Sequence, residues 1–301
     1  MGRKALDKQS LEKQEPGQQR PDHREPDKRE LLTYYHDQSV DRERMYAKPL
    51  RRYQQRRRLE VVRELTRRYW NRHRGGLLLD VGCGDGYGIA TIVKDLDYAL
   101  LIGLDLSPEK LRSAGRTLPA SRMILGDAEV LPLASARFQA VYSLETLEHL
   151  VAPQRALAEI ARVLKPGGSV FISIPVSSAL NVRAAERLIR FRRRGKFHEH
   201  IQFYSRRRIA DMLRRAGLNP AGHRFCVFNY PCFELLTRII PYPIWRKMDG
   251  FLSRIPLGFA GFKYGLSFGV GSEYLVIRAD KMGQMKTAGP LWRTTQRSVT
   301  S

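Results

Sequence analysis

The spacing of apolar positions changes character along this chain of 301 residues. Over residues 30–74 they recur at helical spacing, with Leu59, Val62, Leu65 and Tyr69 set among Arg and Glu, and this predicts a helical extension (30–76) closed by Gly75-Gly76. From Leu77 the rhythm becomes one of short continuous apolar runs, as expected of strands buried on both faces. Such runs stand at Leu77–Val81, Leu100–Leu104, Met123–Leu125, Phe138–Ser143 and Val170–Ile174, with later strand patterns at Arg224–Phe228 and Tyr274–Ile277. Helical patterns lie between them at Tyr87–Leu96, Pro108–Leu118, Gln154–Leu164 and Ser205–Ala216. Ser107 and Pro108 supply an N-cap and first-position proline, and Pro166 with Gly167-Gly168 stop the third of these helices. Strands alternating with helices through short connections predict an α/β fold, a doubly wound and mostly parallel sheet of seven strands occupying 77–228 and 272–281.

Two kinds of segment break this pattern. Residues 1–29 are polar or charged and nearly free of aliphatic side chains, so they are expected to be disordered, as is the tail 282–301. Residues 229–271, before the last strand, are instead aromatic and apolar, and 225–275 holds 12 of the chain's 28 aromatic residues. About 45 residues between two strands is well beyond the usual loop, so this stretch is read as an insertion: a membrane-facing element, a packed lid or a dimer surface.

Composition narrows the class. A hydrophobic fraction of 43% excludes collagen-like and wholly disordered chains. Three cysteines are too few for a disulfide scaffold and point to a reducing compartment. The start does not read as a secretory leader. No run approaches the ~20 apolar residues that span a bilayer. The expected location is cytoplasmic, with peripheral attachment to a membrane left open.

The net charge of +23 would suggest nucleic acid or an anionic membrane as partner, but its distribution matters more than its total. Residues 1–76 count to +9, 77–178 to −2, 179–221 to +9 and 222–301 to +7. The centre is nearly neutral, and the excess surrounds it. Of the 53 basic residues 40 are Arg, so a basic composition spread over solvated surfaces accounts for part of this.

The candidate chemistry lies in that neutral centre. Asp80-Val81-Gly82-Cys83-Gly84-Asp85-Gly86-Tyr87-Gly88 follows a buried strand and opens a helix, where glycines admit a ligand close to backbone N–H groups. A dinucleotide fingerprint needs its third glycine at 87, which is Tyr here. Asp80 and Asp85 also suit a ligand with positive charge better than a pyrophosphate. Asp105, ending the second strand, is placed to accept both hydroxyls of a ribose, and Asp127, after the third, to accept an adenine amino hydrogen.

Together these segments resemble the class I S-adenosylmethionine-dependent methyltransferases, in particular the broad group that includes the quinone-biosynthesis methyltransferases. The resemblance covers about residues 77–220 and 272–280. Besides the glycine loop it rests on Gly103-Leu104-Asp105-Leu106-Ser107, Gly126-Asp127-Ala128, Glu145-Thr146-Leu147-Glu148-His149-Leu150, Leu164-Lys165-Pro166-Gly167-Gly168 and His200-Ile201-Gln202-Phe203-Tyr204-Ser205. It implies S-adenosyl-L-methionine as cofactor, with Asp80, Gly82, Cys83, Gly84 and Gly86 at the methionyl end, Asp105 and Leu106 at the ribose, Asp127 and Ala128 at the adenine, and Leu144 lining the pocket. On the residues alone, Leu106 and Cys83 also read as packing residues.

His149, just past the fourth strand, is the candidate general base for an acceptor hydroxyl, or else a structural residue at a helix start. His198 and His200 are second candidates. In some quinone O-methyltransferases the trio matching Glu145, Glu148 and His149 binds magnesium. His is an unusual magnesium ligand, so the favoured reading has the trio positioning substrate or capping the helix, with no metal.

Ser143-Leu144-Glu145-Thr146 stands where amino-group methyltransferases of adenine or glutamine carry Asn/Asp-Pro-Pro-Tyr/Phe. Cys226 and Cys232 come too late for the nucleophile of pyrimidine carbon-5 methylation. The expected acceptor is a hydroxyl or carbon of a small or lipid-linked molecule, met at an anionic membrane surface through the Arg-rich stretch 183–196, Arg206-Arg207-Arg208 and the aromatic insertion. The alternative is RNA methylation with those arginines on phosphates, although no RNA-binding module is recognisable.

Overall fold

The computed structural model describes residues 49–70, 74–176, 204–226, 240–244, 247 and 273–282. The tails expected to be disordered (Met282 apart), residues 183–196, His198, His200, Cys232 and nearly all of the 229–271 insertion lie outside the described residues.

The elements run α1 (Pro49–Trp70), β1 (Leu77–Val81), α2 (Tyr87–Val93), β2 (Leu100–Asp105), α3 (Pro108–Thr117), β3 (Arg122–Leu125), β4 (Phe138–Leu144), a 3₁₀ turn (Leu147–His149), α4 (Pro153–Val163), β5 (Leu164–Val176), α5 (Arg206–Arg215), β6 (Leu218–Cys226) and β7 (Glu273–Lys281). They form one seven-stranded sheet in the order β3-β2-β1-β4-β5-β7-β6. Its strands are parallel except β7, which pairs antiparallel with both β5 and β6. The chain leaves β1 to build outward through β2 and β3, then returns to lay β4 on β1's other side. That reversal opens a crevice at the C-terminal ends of β1 and β4, where doubly wound sheets bind ligands.

Both faces of the sheet are covered. Val81, Leu104, Val141, Val170 and Ile172 join Leu157, Ile160, Ile209 and Leu213 from α4 and α5 in one core. Leu78, Leu101, Tyr142, Phe171 and Val276 join Leu59, Val62, Tyr69 and Trp70 of α1, with Ile89 and Ile92 of α2, in another. The predicted stripe of α1 is thus the face that seats the extension, each fully buried aliphatic side chain contributing about 1.5–3 kcal/mol. Trp70 and Tyr69 also tie down the helix end: the Trp70 indole donates to the Asp97 carbonyl at 2.8 Å, and the Tyr69 hydroxyl bonds the carbonyls of Gln139 and Gly167.

Two strand starts differ most from the sequence reading. α4 ends at Val163, and β5 starts at once with Leu164. Lys165, Pro166 and Gly167 are exposed, and the register jumps from Phe138–Leu164 to Ala140–Ser169. The turn residues therefore form a bulge inside a strand rather than a loop before one. β6 starts at Leu218, not at Arg224. Its Asn219, Pro220 and Gly222 obscure the strand pattern, and an edge strand tolerates them, with a register shift between Pro220 and Gly222.

Candidate active site

The centre of the site is the passage from β1 to α2. Gly82, Gly84 and Gly86 all have positive φ (75°, 56° and 79°). At Gly82 a Cβ would also stand 2.5 Å from the Thr146 side chain, so this position needs glycine for space as well as conformation. The loop is fastened to β2: the N–H groups of Gly82 and Cys83 donate to the Leu104 carbonyl, and that of Gly84 donates to Asp105 Oδ2 at 2.8 Å. Asp105 Oδ1 accepts from Ser107 N at 3.0 Å. A carboxylate has about four acceptor sites, which leaves capacity for ligand hydroxyls.

Asp80, near the end of β1, is 2% exposed, and its Oδ1 has no hydrogen-bond partner. Burial, and after it the charge of Asp105, push its carboxyl up to about 8. The loop is therefore underlain by a buried acid oxygen without a donor, beside a second acid. A positively charged ligand group satisfies that pair, and an anion does not. Cys83 packs with Leu111, Ala114 and Met123. Burial, then Asp80 and Asp105, push its thiol upward, so it stays neutral and behaves as a packing residue.

The third strand adds the next residues. The Gly126 N–H donates to the Asp105 carbonyl, and Asp127 Oδ1 accepts from Glu129 N at 2.8 Å in a tight turn. Ala128 is buried in the core, while Leu106 is half-buried at the mouth of β2. Leu144, at the end of β4, lies beside Gly88 of α2. The sequence-nominated residues from Asp80 to Leu144 thus line the C-terminal ends of β1 to β4.

After β4 the chain turns sharply. Glu145 takes a φ of 54°, unusual for a residue with a side chain. Its carboxylate accepts from Ser173 Oγ at 3.1 Å and pairs with Arg58 Nη1 at 3.2 Å. Arg58 reaches in from α1 and also lies over the Tyr274 ring, 4.9 Å from its centre. Thr146 Oγ1 donates to the Val81 carbonyl at 3.1 Å, stitching this turn to the glycine loop across the crevice. Glu148 is fully buried, and His149 is half-buried, its N–H on the Thr146 carbonyl. Among the described residues no group of three or more His, Cys, Asp or Glu side chains is arranged to hold a metal. Sequence reasoning nominated Glu145 but missed Arg58, Ser173 and Thr146. Arg58 carries no local signal within an Arg-rich helix; the β4 motif contains Thr146 but not its cross-crevice bond.

A sheet of this order with an antiparallel seventh strand, a glycine loop after β1 and an acid ending β2 are features of the Rossmann-like fold that methyltransferases share. Residues 79–172 match the family described as Methyltransferase domain. It is 32% identical over 160 residues to a ubiquinone biosynthesis O-methyltransferase of Cereibacter sphaeroides, covering 50% of this chain and 64% of that protein. It is 38% identical over 96 residues to a phthiotriol/phenolphthiotriol dimycocerosates methyltransferase of Mycobacterium leprae, covering 31% and 36%. The match therefore spans less than two thirds of these relatives' length. A solved S-adenosylmethionine-dependent methyltransferase from Thermotoga maritima shares the fold, with a TM-score of 0.53, 20% identity and coverage of 83% of this chain and 99% of that one.

Proposed function

We propose that this chain is an S-adenosylmethionine-dependent methyltransferase acting on a hydroxyl or carbon of a small or lipid-linked acceptor. The observation that carries the reading is Asp80: a buried acid with an unpartnered oxygen, under a loop whose three glycines take positive φ and beside Asp105. These residues fit a cationic nucleoside. Asp80 and the Gly82–Gly86 backbone would hold the methionyl end, Asp105 and Leu106 the ribose, Asp127 and Ala128 the adenine, and Leu144 the wall toward the acceptor. When bound, the cofactor supplies an electrophilic methyl group on a sulfonium sulfur.

The protein's part is alignment and exclusion of water, which together account for much of the acceleration of such displacements. His149 stands beyond β4 on the acceptor side and is the candidate to take a proton from an acceptor hydroxyl. The similarity to a ubiquinone biosynthesis O-methyltransferase supports an oxygen acceptor. The Arg-rich segments and the aromatic insertion support work at an anionic membrane surface. No helix among the described residues is long and apolar enough to cross a membrane.

The test has two parts. Calorimetry should give saturable S-adenosylmethionine binding that Asp105→Ala weakens at least tenfold; binding unchanged by that substitution overturns the cofactor assignment. Transfer of labelled methyl groups into the lipid, small-molecule and RNA fractions of a host extract then reads the acceptor. Label appearing only in RNA overturns the acceptor reading, and failure to sediment with anionic liposomes overturns the membrane part.

A further inference from the structure

A groove of about 620 Å³ opens between the start of α4 and the outer side of α5. Val151, Pro153 and Gln154 line one side, and Arg207, Arg208 and Arg215 the other. Gln154 Nε2 donates to the Met212 carbonyl at 3.1 Å, so the two walls are held together. Arg207 and Arg215 are exposed and, among the described residues, have no ion-pair partner. The acid among the lining residues, Asp211, is engaged by Arg214 at 2.9 Å, and Arg214 does not line the groove.

The charge at the start of α5 is misplaced by the rules of helix stability. α5 begins Arg206-Arg207-Arg208 with no acid in its first turn. Cations there oppose the helix dipole by about 0.3–1 kcal/mol each. Arg207 and Arg208, at the wrong end of the helix and beside a concave opening, make a local conflict that an anion in the groove would resolve, and Arg215 in the last turn adds a further exposed guanidinium to the same wall. Guanidinium forks match phosphate oxygens two at a time. Among the described residues the lining contains no aromatic side chain on which a base would stack, which argues against single-stranded RNA.

The groove also adjoins the candidate active site. Val151 follows the turn that carries His149, and Ser205 follows Tyr204, whose hydroxyl donates to the Leu147 carbonyl at 2.9 Å. Tyr204 itself pairs with Val176 at the C-terminal end of β5. We propose that this groove binds a phosphate or diphosphate group and anchors the phosphorylated end of the acceptor. The anchoring role rests on the methyltransferase reading above; the phosphate site does not.

The experiment is titration of inorganic pyrophosphate into the full chain at low salt. Saturable binding is expected, weakened at least tenfold by Arg207→Gln with Arg215→Gln and less than twofold by Arg214→Gln. Thermal denaturation verifies that these exposed substitutions leave the chain folded. Vesicles of phosphatidylglycerol and phosphatidylcholine in the same titration identify the source. Displacement of pyrophosphate by the vesicles supports a lipid headgroup, and retention supports a soluble phosphorylated ligand. Absence of saturable binding, equal loss in Arg214→Gln, or an RNA oligonucleotide held by the same arginines and not displaced by pyrophosphate overturns the proposal. S-adenosylmethionine binding measured on the same samples separates the two readings: if it persists while pyrophosphate binding fails, only the groove is refuted.

Discussion

Asp80 gives the most demanding test of the physical argument, because one buried acid predicts both a binding signature and a stability signature. Its carboxyl, ordinarily near 3.8, is pushed up to about 8 by burial and then by Asp105. That displacement corresponds to roughly 6 kcal/mol against ionisation in the free protein. At pH 7 roughly nine in ten free molecules then carry a proton on Asp80. A cationic ligand group favours the carboxylate, so binding S-adenosylmethionine should release close to one proton at pH 7. Affinity should rise about tenfold per pH unit from 6 toward 8 and level off above. Calorimetry in two buffers of different ionisation enthalpy counts the proton directly, and Asp80→Asn should abolish both its release and the slope while weakening binding. The stability effect has a fixed sign. The folded carboxyl holds its proton to higher pH than the unfolded one, so its contribution is complete below about pH 4 and disappears as pH rises through 8. Urea denaturation of the free protein should therefore show wild type losing up to about 4 kcal/mol relative to Asp80→Asn between pH 5 and pH 8. Proton-neutral binding with flat affinity, or parallel stability curves for the two proteins, would refute the assignment of Asp80 as the buried partner of a cation.

Other expectations follow from the loop and the β4 turn. Gly84→Ala meets only backbone strain, as no atom lies within 4 Å of its new Cβ, and should cost about 1–2 kcal/mol. Gly82→Ala adds a 2.5 Å approach to Thr146, so its urea midpoint should fall further and its cofactor binding should be lost first; equal effects at the two positions would contradict the geometry. Arg58→Met or Glu145→Gln alone should destabilise by about 3 kcal/mol by stranding the partner of a largely buried ion pair. The double substitution should recover most of that loss, and an additive double-mutant cycle would show that the two side chains are not coupled.

The parts of this site that were legible in the sequence are those governed by local chemistry. A strand buried on both faces must be a continuous apolar run, so Asp80 within Leu77–Val81 stands out as a polar residue where none is needed for packing. The three glycines are legible because positive φ restricts residue type, and Asp105 because it ends a second such run. What was hidden depends on tertiary contact. Arg58 looks like any other Arg on a charged helix until α1 is laid over the sheet and its guanidinium meets Glu145. Pro166-Gly167-Gly168 carries the signals of a loop, and only pairing with β4 and β7 turns it into a bulge. β6 was misplaced because an edge strand is free of the apolar pattern that marks a central one.

The distribution of charge can now be given a physical meaning. The segment 77–178 sums to −2 within a chain of +23, yet its total is not what selects a cation. At physiological ionic strength exposed charges are screened over about 8 Å, so the exposed arginines have little reach into the glycine loop. On the proposed reading, selection there belongs to Asp80, which lies in a desolvated interior where screening is weak, with the half-buried Asp105 beside it. The groove of α5 is the opposite case: its arginines are exposed, and their attraction for an anion is strong at short range and falls with added salt. On these proposals one edge of one sheet presents two sites of opposite preference without mutual cancellation, because one is built on a buried acid that ionises when it meets a cation and the other on charge left in water. A cofactor with a cationic end and an acceptor with an anionic end would on this account be drawn to different places on that edge, leaving their reactive groups to meet between them, on the side where β4 ends and His149 stands.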